Sequence, residues 1–256
     1  MKNTLLKKLF AGTLMTVLTL SVQAEVIDKI EKSFTVDESS QFSLENINGA
    51  VEIISWDQQV IQVKATIKAD NQEDRDRVSI DMQQNSRGVI VETRYKKESS
   101  WGFNNNQSGN VTYEVMVPKD VNLSSIELVN GSLIIENVQG EVNAELVNGS
   151  IKAAGIMSNS DIASVNGSIK VAYKSQASNF KQVKLQTVNG SIKLILPDNI
   201  SASVDAETMH GSIKNDFGLS NDEESFMGKS LQGDIGSGDA RVSLESVNGS
   251  IKILSH

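Results

Sequence analysis

Apolar and polar residues alternate one by one over long reaches of this 256-residue chain. From Val60 to Ala69, the residues Ile61, Val63, Ala65 and Ile67 fall on one side. Gln62, Lys64, Thr66 and Lys68 fall on the other. A period of two describes a strand with one dry face and one wet face. The same pattern predicts strands over Val78–Met82, Val89–Thr93 and Val111–Val117. In the second half it restarts repeatedly from one motif. VNGSIK begins at Val147, Val165, Val188 and Val247, with variants VNGSLI at Val129, MHGSIK at Met209 and INGAVE at Ile47. After the turn at Asn148-Gly149, Ser150 and Lys152 point one way, and Ile151 and Ala153 the other. A second short strand follows in each unit, as in Glu141–Leu146 after Gln139-Gly140. No unit has room for a crossover helix, and Asn71–Arg77 reads as a charged turn or a single helical turn.

A self-similar unit at a steady interval points to stacked repeats. The turn positions are Asn48-Gly49, Asn130-Gly131, Asn148-Gly149, Asn166-Gly167, Asn189-Gly190, Gly211 and Asn248-Gly249. From Gly131 onward the glycines are spaced by 18, 18, 23, 21 and 38 residues, and Gly233 divides the last interval. Asn-Gly readily takes positive φ and commonly closes a hairpin. A meander, however, gives no reason for the same turn and strand to recur at this interval. Stacked coils do: each strand pairs in parallel with its own copy about 4.8 Å away. The expected fold is therefore all-β, a single-stranded parallel β-helix or β-solenoid with coils of about 18–23 residues. Residues 25–256 form one domain in this reading. Residues 25–125 supply an N-terminal cap and irregular coils, and residues 126–256 the regular NGSI repeats. A lone coil buries too few side chains to offset its ordering entropy, so stability depends on neighbours.

Composition narrows the picture. The chain has no cysteine, two prolines and 5% aromatic residues, so an aliphatic core is expected. Lys2, Lys7 and Lys8 precede an apolar run over residues 9–22 and the small-residue site Val22-Gln23-Ala24. These features predict a secretory signal over residues 1–24 and an exported protein of the bacterial periplasm or cell surface. Losing that segment moves the formal charge of −8 three units further negative. An acidic chain of this kind is a poor partner for nucleic acid.

Several segments carry a family likeness. FSLENINGAVEIISWDQQVIQVKATIKA, VTYEVMVPKDVNLSSIEL and the serial NGSI turns resemble the "putative adhesin" domain of bacterial envelope proteins, over residues 32–254. The resemblance implies a β-solenoid exported protein and no particular reaction. Where that family often has Ser-Gly-Asp at the turn, this chain has Asn-Gly-Ser.

Candidate chemistry is sparse. Stacking would align Lys152, Lys170, Lys193, Lys214 and Lys252 into a basic row, a candidate site for envelope glycan or anionic lipid headgroups. Glu45, Glu127, Glu145, Glu207 and Glu245 form a second row, interrupted by Ala163 and Gln186. If the rows flank one another they neutralise. The Asn row predicts a side-chain amide ladder, with His210 replacing one member. Trp101 and Phe103 sit in a polar loop over residues 96–110. No cofactor or metal site is expected, since His and Cys are nearly absent. Asp161 and Asp205 are scattered, so catalysis is not the leading reading. The leading function is a non-catalytic, adhesin-like envelope interaction scaffold. The alternatives are a carbohydrate-active β-helix enzyme and a structural protein that self-associates through the edge of its C-terminal coil.

Overall fold

The computed structural model describes residues 25–96, 109–177, 180–222 and 228–256. The expected signal segment and the Trp101 and Phe103 loop lie outside those residues. In chain order come β1 (Val26–Thr35), β2 (Gln41–Asn48), β3 (Val51–Trp56) and β4 (Val60–Ala69). The short helix α1 (Gln72–Arg77), β5 (Val78–Asn85), β6 (Gly88–Tyr95) and β7 (Asn110–Pro118) follow. The repeat region then alternates strands across its turns. These are β8 (Asn122–Asn130), β9 (Leu133–Glu136), β10 (Val142–Asn148), β11 (Ile151–Ile156), β12 (Ser160–Asn166) and β13 (Ile169–Tyr173). β14 (Gln182–Asn189), β15 (Ile192–Leu196), β16 (Ala202–His210) and β17 (Ile213–Asn215) continue it. Last come β18 (Asn221–Asp222), β19 (Lys229–Ile235), β20 (Ala240–Asn248) and β21 (Ile251–Ser255).

These strands build two large mixed sheets rather than one all-parallel helix. The 10-stranded sheet has the order β1-β4-β7-β3-β9-β11-β13-β15-β21-β17. The 11-stranded sheet has the order β18-β19-β16-β20-β14-β12-β10-β8-β2-β6-β5. Each corner sends the chain from the second sheet to the first, so equivalent strands stack in parallel. Val142–Leu146 lies in register with Ser160–Ser164, and Ile151–Ala154 with Ile169–Ala172. Both ends are finished by antiparallel strands. β4 pairs with β1 and β7, and β5 with β6, at one end; β19 pairs with β16 and β18 at the other. Asn71 caps α1 by accepting the Asp74 amide at 2.9 Å, and Arg75 Nε donates to Asp28 of β1 at 2.9 Å.

Spatial order also departs from chain order. Along the stack the strand pairs run β6/β7, β2/β3, β8/β9, β10/β11, β12/β13, β14/β15, β20/β21 and β16/β17. The pair β20/β21 is thus inserted between two earlier ones. The expected open edge at the C-terminal coil is therefore absent. β20 pairs with β14 and β16, and β21 with β15 and β17, so its backbone groups are used on both sides. Nor does Gly233 start a coil, because it lies in β19, antiparallel to Val204 of β16.

One apolar core fills the space between the sheets, built from residues such as Leu44, Ile53, Leu123, Ile135, Ile162, Val171, Leu185, Leu194, Leu244 and Ile253. It is not wholly aliphatic. Tyr113 on one sheet bonds Thr93 on the other at 2.6 Å, and Tyr173 bonds Ser160 at 2.8 Å. Each tyrosine ties the two sheets of one coil through the interior.

Candidate functional site

The corners set which side chains reach the surface. Their glycines are required less by turn angle than by proximity. Only Gly49 and Gly149 among the seven have positive φ. A Cβ on Gly149 would lie 1.7 Å from the Gly131 carbonyl oxygen, and one on Gly167 would lie 1.6 Å from that of Gly149. Stacked corners approach until the amide of Gly149 donates to Asn166 O at 2.9 Å and that of Ile151 to Ser168 O at 3.0 Å. No side chain fits between them.

At the outer edge of these corners six asparagines form a continuous amide ladder. Asn248 Nδ2 donates to Asn189 Oδ1 at 2.8 Å, Asn189 to Asn166 at 2.8 Å, and Asn166 to Asn148 at 2.9 Å. Asn148 donates to Asn130 at 2.9 Å and Asn130 to Asn48 at 3.0 Å. His210 stands beside Asn248 in the next rung. A bracket inside the corner went unread in the sequence. Thr187, Ser246 and Thr208 each donate a buried hydroxyl to a neighbouring corner carbonyl, that of Gly167, Gly190 and Gly249 respectively. Its signal is a Ser or Thr three residues before the corner glycine.

The five lysines of the sequence reading share one row on the outer face of the 10-stranded sheet. Their spatial order is Lys152, Lys170, Lys193, Lys252, Lys214, each in register with the next. Lys152 comes within 3.9 Å of Glu136. The other four have no ion pair among the described residues. Beyond them on the same face lies a half-buried apolar row of Ala154, Ala172, Ile195 and Leu254.

The glutamates lie on the other sheet, so they do not flank the lysines. Their row runs Glu92, Glu45, Glu127, Glu145, Ala163, Gln186, Glu245, Glu207. Partial burial, then repulsion from Glu127 and Glu92, raises the Glu45 carboxyl above the usual range, while Arg94 opposes the shift. Next to this row runs a stripe that the sequence reading did not single out: Ile47, Val129, Val147, Val165, Val188, Val247 and Met209. Val129, Val147, Val165, Val188 and Met209 are 39% to 48% exposed. Apolar residues at outward-facing positions of a strand were the available sign.

The stripe and the glutamates line two shallow depressions that share Val188. One, of about 420 Å³, is bordered by Glu45, Glu127, Glu145, Val129 and Val147; the other, of about 390 Å³, by Glu207, Glu245 and Met209. Asp161 and Asp205 lie three rungs apart on this sheet, and Asp161 is 3.7 Å from Lys184. Such spacing does not set up a carboxylate pair for acid–base work. Among the described residues, no group of three or more His, Cys, Asp and Glu could hold a metal ion.

The family model described as Toastrack DUF4097 matches residues 121–254. Among solved structures, the chain is similar to a "putative cell adhesion protein" from Clostridium sporogenes. Identity is 15%, with 90% of this chain and 100% of that one covered, at a TM-score of 0.49. It is similar also to a "putative adhesin" from Bacteroides fragilis, at 13% identity, 88% and 97% coverage and a TM-score of 0.43. A third is a "putative lipid binding protein" from Parabacteroides distasonis, at 13% identity, 88% and 96% coverage and a TM-score of 0.27. No curated protein matches the chain.

Proposed function

We propose, for a chain that belongs to the Toastrack DUF4097 family, a non-catalytic role as an exported interaction scaffold of the bacterial envelope. Residues 25–256 act as one solenoid-like unit, and residues 1–24 direct export. The working surface is the lysine ladder, and its ligand is a polyvalent anion, either envelope glycan or anionic lipid headgroups. The observation that carries this reading is the register of Lys152, Lys170, Lys193, Lys252 and Lys214 on consecutive rungs of a protein whose formal charge is −8. Five like charges aligned at strand spacing repel one another. A bound polyanion relieves that repulsion and gains from every rung at once.

The test replaces Lys152, Lys170 and Lys193 together by Glu. Binding is measured to phosphatidylcholine vesicles with and without phosphatidylglycerol, and to purified anionic envelope polysaccharide. A lysine near an anionic surface contributes about 1 kcal/mol. The triple variant is expected to bind at least about a hundredfold more weakly to whichever anion the parent prefers. Unchanged binding to both removes the proposal. Cell fractionation with protease shaving of whole cells tests export separately.

A further inference from the structure

The glutamate row and the valine stripe are not used by the lysine-ladder reading, yet they run side by side along the outer face of the 11-stranded sheet. Four carboxylates stand on consecutive rungs: Glu92, Glu45, Glu127 and Glu145. Beside them, exposed side chains from Val129 to Met209 leave an apolar strip open to solvent. Contiguous exposed apolar surface of this kind marks an interaction site more often than chance placement.

The chain itself carries the complementary surface. On its other sheet four lysines that have no ion pair among the described residues, Lys170, Lys193, Lys252 and Lys214, stand on consecutive rungs. A row of Ala172, Ile195 and Leu254 lies one position further along the same face. Both ladders come from one stack, so their charges repeat at the same strand spacing of about 4.8 Å. A repeating cation row matches a repeating anion row without strain only when the periods agree. Here they agree by construction.

The geometry points to a second copy of this chain as the occupant of the groove, with the lysine ladder of one copy lying along the glutamate row of the next. The charge pattern also selects the stagger. With the two stacks parallel and displaced by four rungs, Lys170, Lys193, Lys252 and Lys214 face Glu92, Glu45, Glu127 and Glu145 in turn. An antiparallel, full-length overlay matches the same four lysines. It also sets Glu114 and Glu52 of one copy against Glu207 and Glu245 of the other. Like charges directly opposed disfavour it. In the staggered form the apolar row of Ala172, Ile195 and Leu254 and the valine stripe fall on opposite sides of the matched charged rows, so charge joins the two faces.

The contact joins two different faces, so it is heterologous and does not close on itself. Growth is stepwise and open-ended, with no plateau at a dimer. Four rungs of strands about 20 Å long give a patch near 400 Å² per copy. That is about half of a standard interface. Association is therefore weak and strongly salt-dependent.

Sedimentation of the full mature chain provides the test. At low salt the average mass is expected to rise continuously with concentration, and to return to that of the monomer near 0.5 M NaCl, where screening is short-ranged. Two variants then separate the faces. E45K/E127K/E145K presents lysines on both sheets, and K170E/K193E/K252E presents glutamates on both. Each alone is expected to associate on the order of tenfold more weakly or not at all. An equal mixture of the two is expected to regain association, because each supplies the charge the other lacks. That recovery also shows that both variants are folded.

A parent protein that stays monomeric at every concentration and salt overturns the inference. So does a glutamate-row variant that sediments like the parent, or a groove that takes a free cationic peptide while the protein remains monomeric. The outcome is separable from the anion-binding proposal. E45K/E127K/E145K loses self-association in this scheme but keeps its lysine ladder for vesicles and polysaccharide.

Discussion

The middle of the stack and its two ends use the same building block differently. From β8 to β15 each coil lies on the coil that follows it in sequence, and Asn130, Asn148, Asn166 and Asn189 step through their ladder at intervals of 18, 18 and 23 residues. At the ends the ladder takes long jumps. Asn48 meets Asn130 across 82 residues, and Asn189 meets Asn248 across 59. In both cases another coil has been carried past its chain neighbour to the outside: β6/β7 at one end and β16/β17 at the other. The comparison teaches that an identical corner makes coils interchangeable as neighbours. It does not say which copy sits next to which. Strands at the ends that make no coil, β1, β4, β5, β18 and β19, pair antiparallel and finish the sheets.

The largest expected effect comes from removing residues 239–256. If coils lay in chain order, this would take off a terminal layer and leave β16/β17 on β14/β15. In the observed order it withdraws the layer between them. Val242, Leu244, Ile251 and Ile253 are fully buried there. Their loss alone corresponds to about 6–12 kcal/mol of burial. The truncated protein is expected to lose cooperative unfolding in urea beyond β15. A single sharp transition of near-parental midpoint would break the comparison.

A smaller effect separates corner packing from loop geometry. Gly149→Ala drives a methyl into the Gly131 carbonyl, whereas the Cβ of Gly218→Ala meets nothing within 4 Å. Gly218, at φ 72°, sits near the left-handed region that other residues can adopt, whereas Gly149, at φ 136°, combines a backbone almost reserved for glycine with the close approach of stacked coils. Chemical denaturation is expected to show a cost of about 3–5 kcal/mol at Gly149 and about 1–2 kcal/mol at Gly218. Equal costs would mean that coil stacking does not require a bare backbone at the corner.

The smallest effect compares the two interior tyrosines, Tyr173 in the regular stack and Tyr113 near its end. Burial raises both phenols well above the ordinary value of 10.0, against a smaller opposing effect of their hydrogen bonds to Ser160 and Thr93. A raised folded-state pKa means that the folded protein holds protons the unfolded chain has released. Stability from these groups is therefore intact below about pH 10 and declines as pH rises beyond it. Ultraviolet titration is expected to show neither phenol ionising before the chain unfolds. Tyr173→Phe and Tyr113→Phe should each cost about 1 kcal/mol and flatten that alkaline decline. A phenolate signal from either residue in the folded protein near pH 10 would show that coil to be open to water.

Much of this was legible from residue order alone. The alternation over Val60–Ala69 and the repeated VNGSIK prescribe strands, an inward and an outward face, and parallel stacking of like on like. The lysine row follows from that periodicity, because Lys152, Lys170 and Lys193 occupy the same place in adjoining units. Short-range steric and hydrophobic rules suffice for such statements, since each involves residues within a few positions of a corner. The valine stripe was equally accessible, but an apolar residue beside a turn does not announce whether it is covered. What only tertiary structure decided is the order of layers, the inserted C-terminal coil and the antiparallel ends. The corners at Asn189 and Asn248 are locally the same, so no local energy distinguishes them as partners. That choice falls to the total of core packing and strand pairing over the whole stack. The corner itself, lying between Glu145 and Lys152 and their equivalents, puts the two rows on separate sheets; the order of layers decides which rungs each outward ladder occupies.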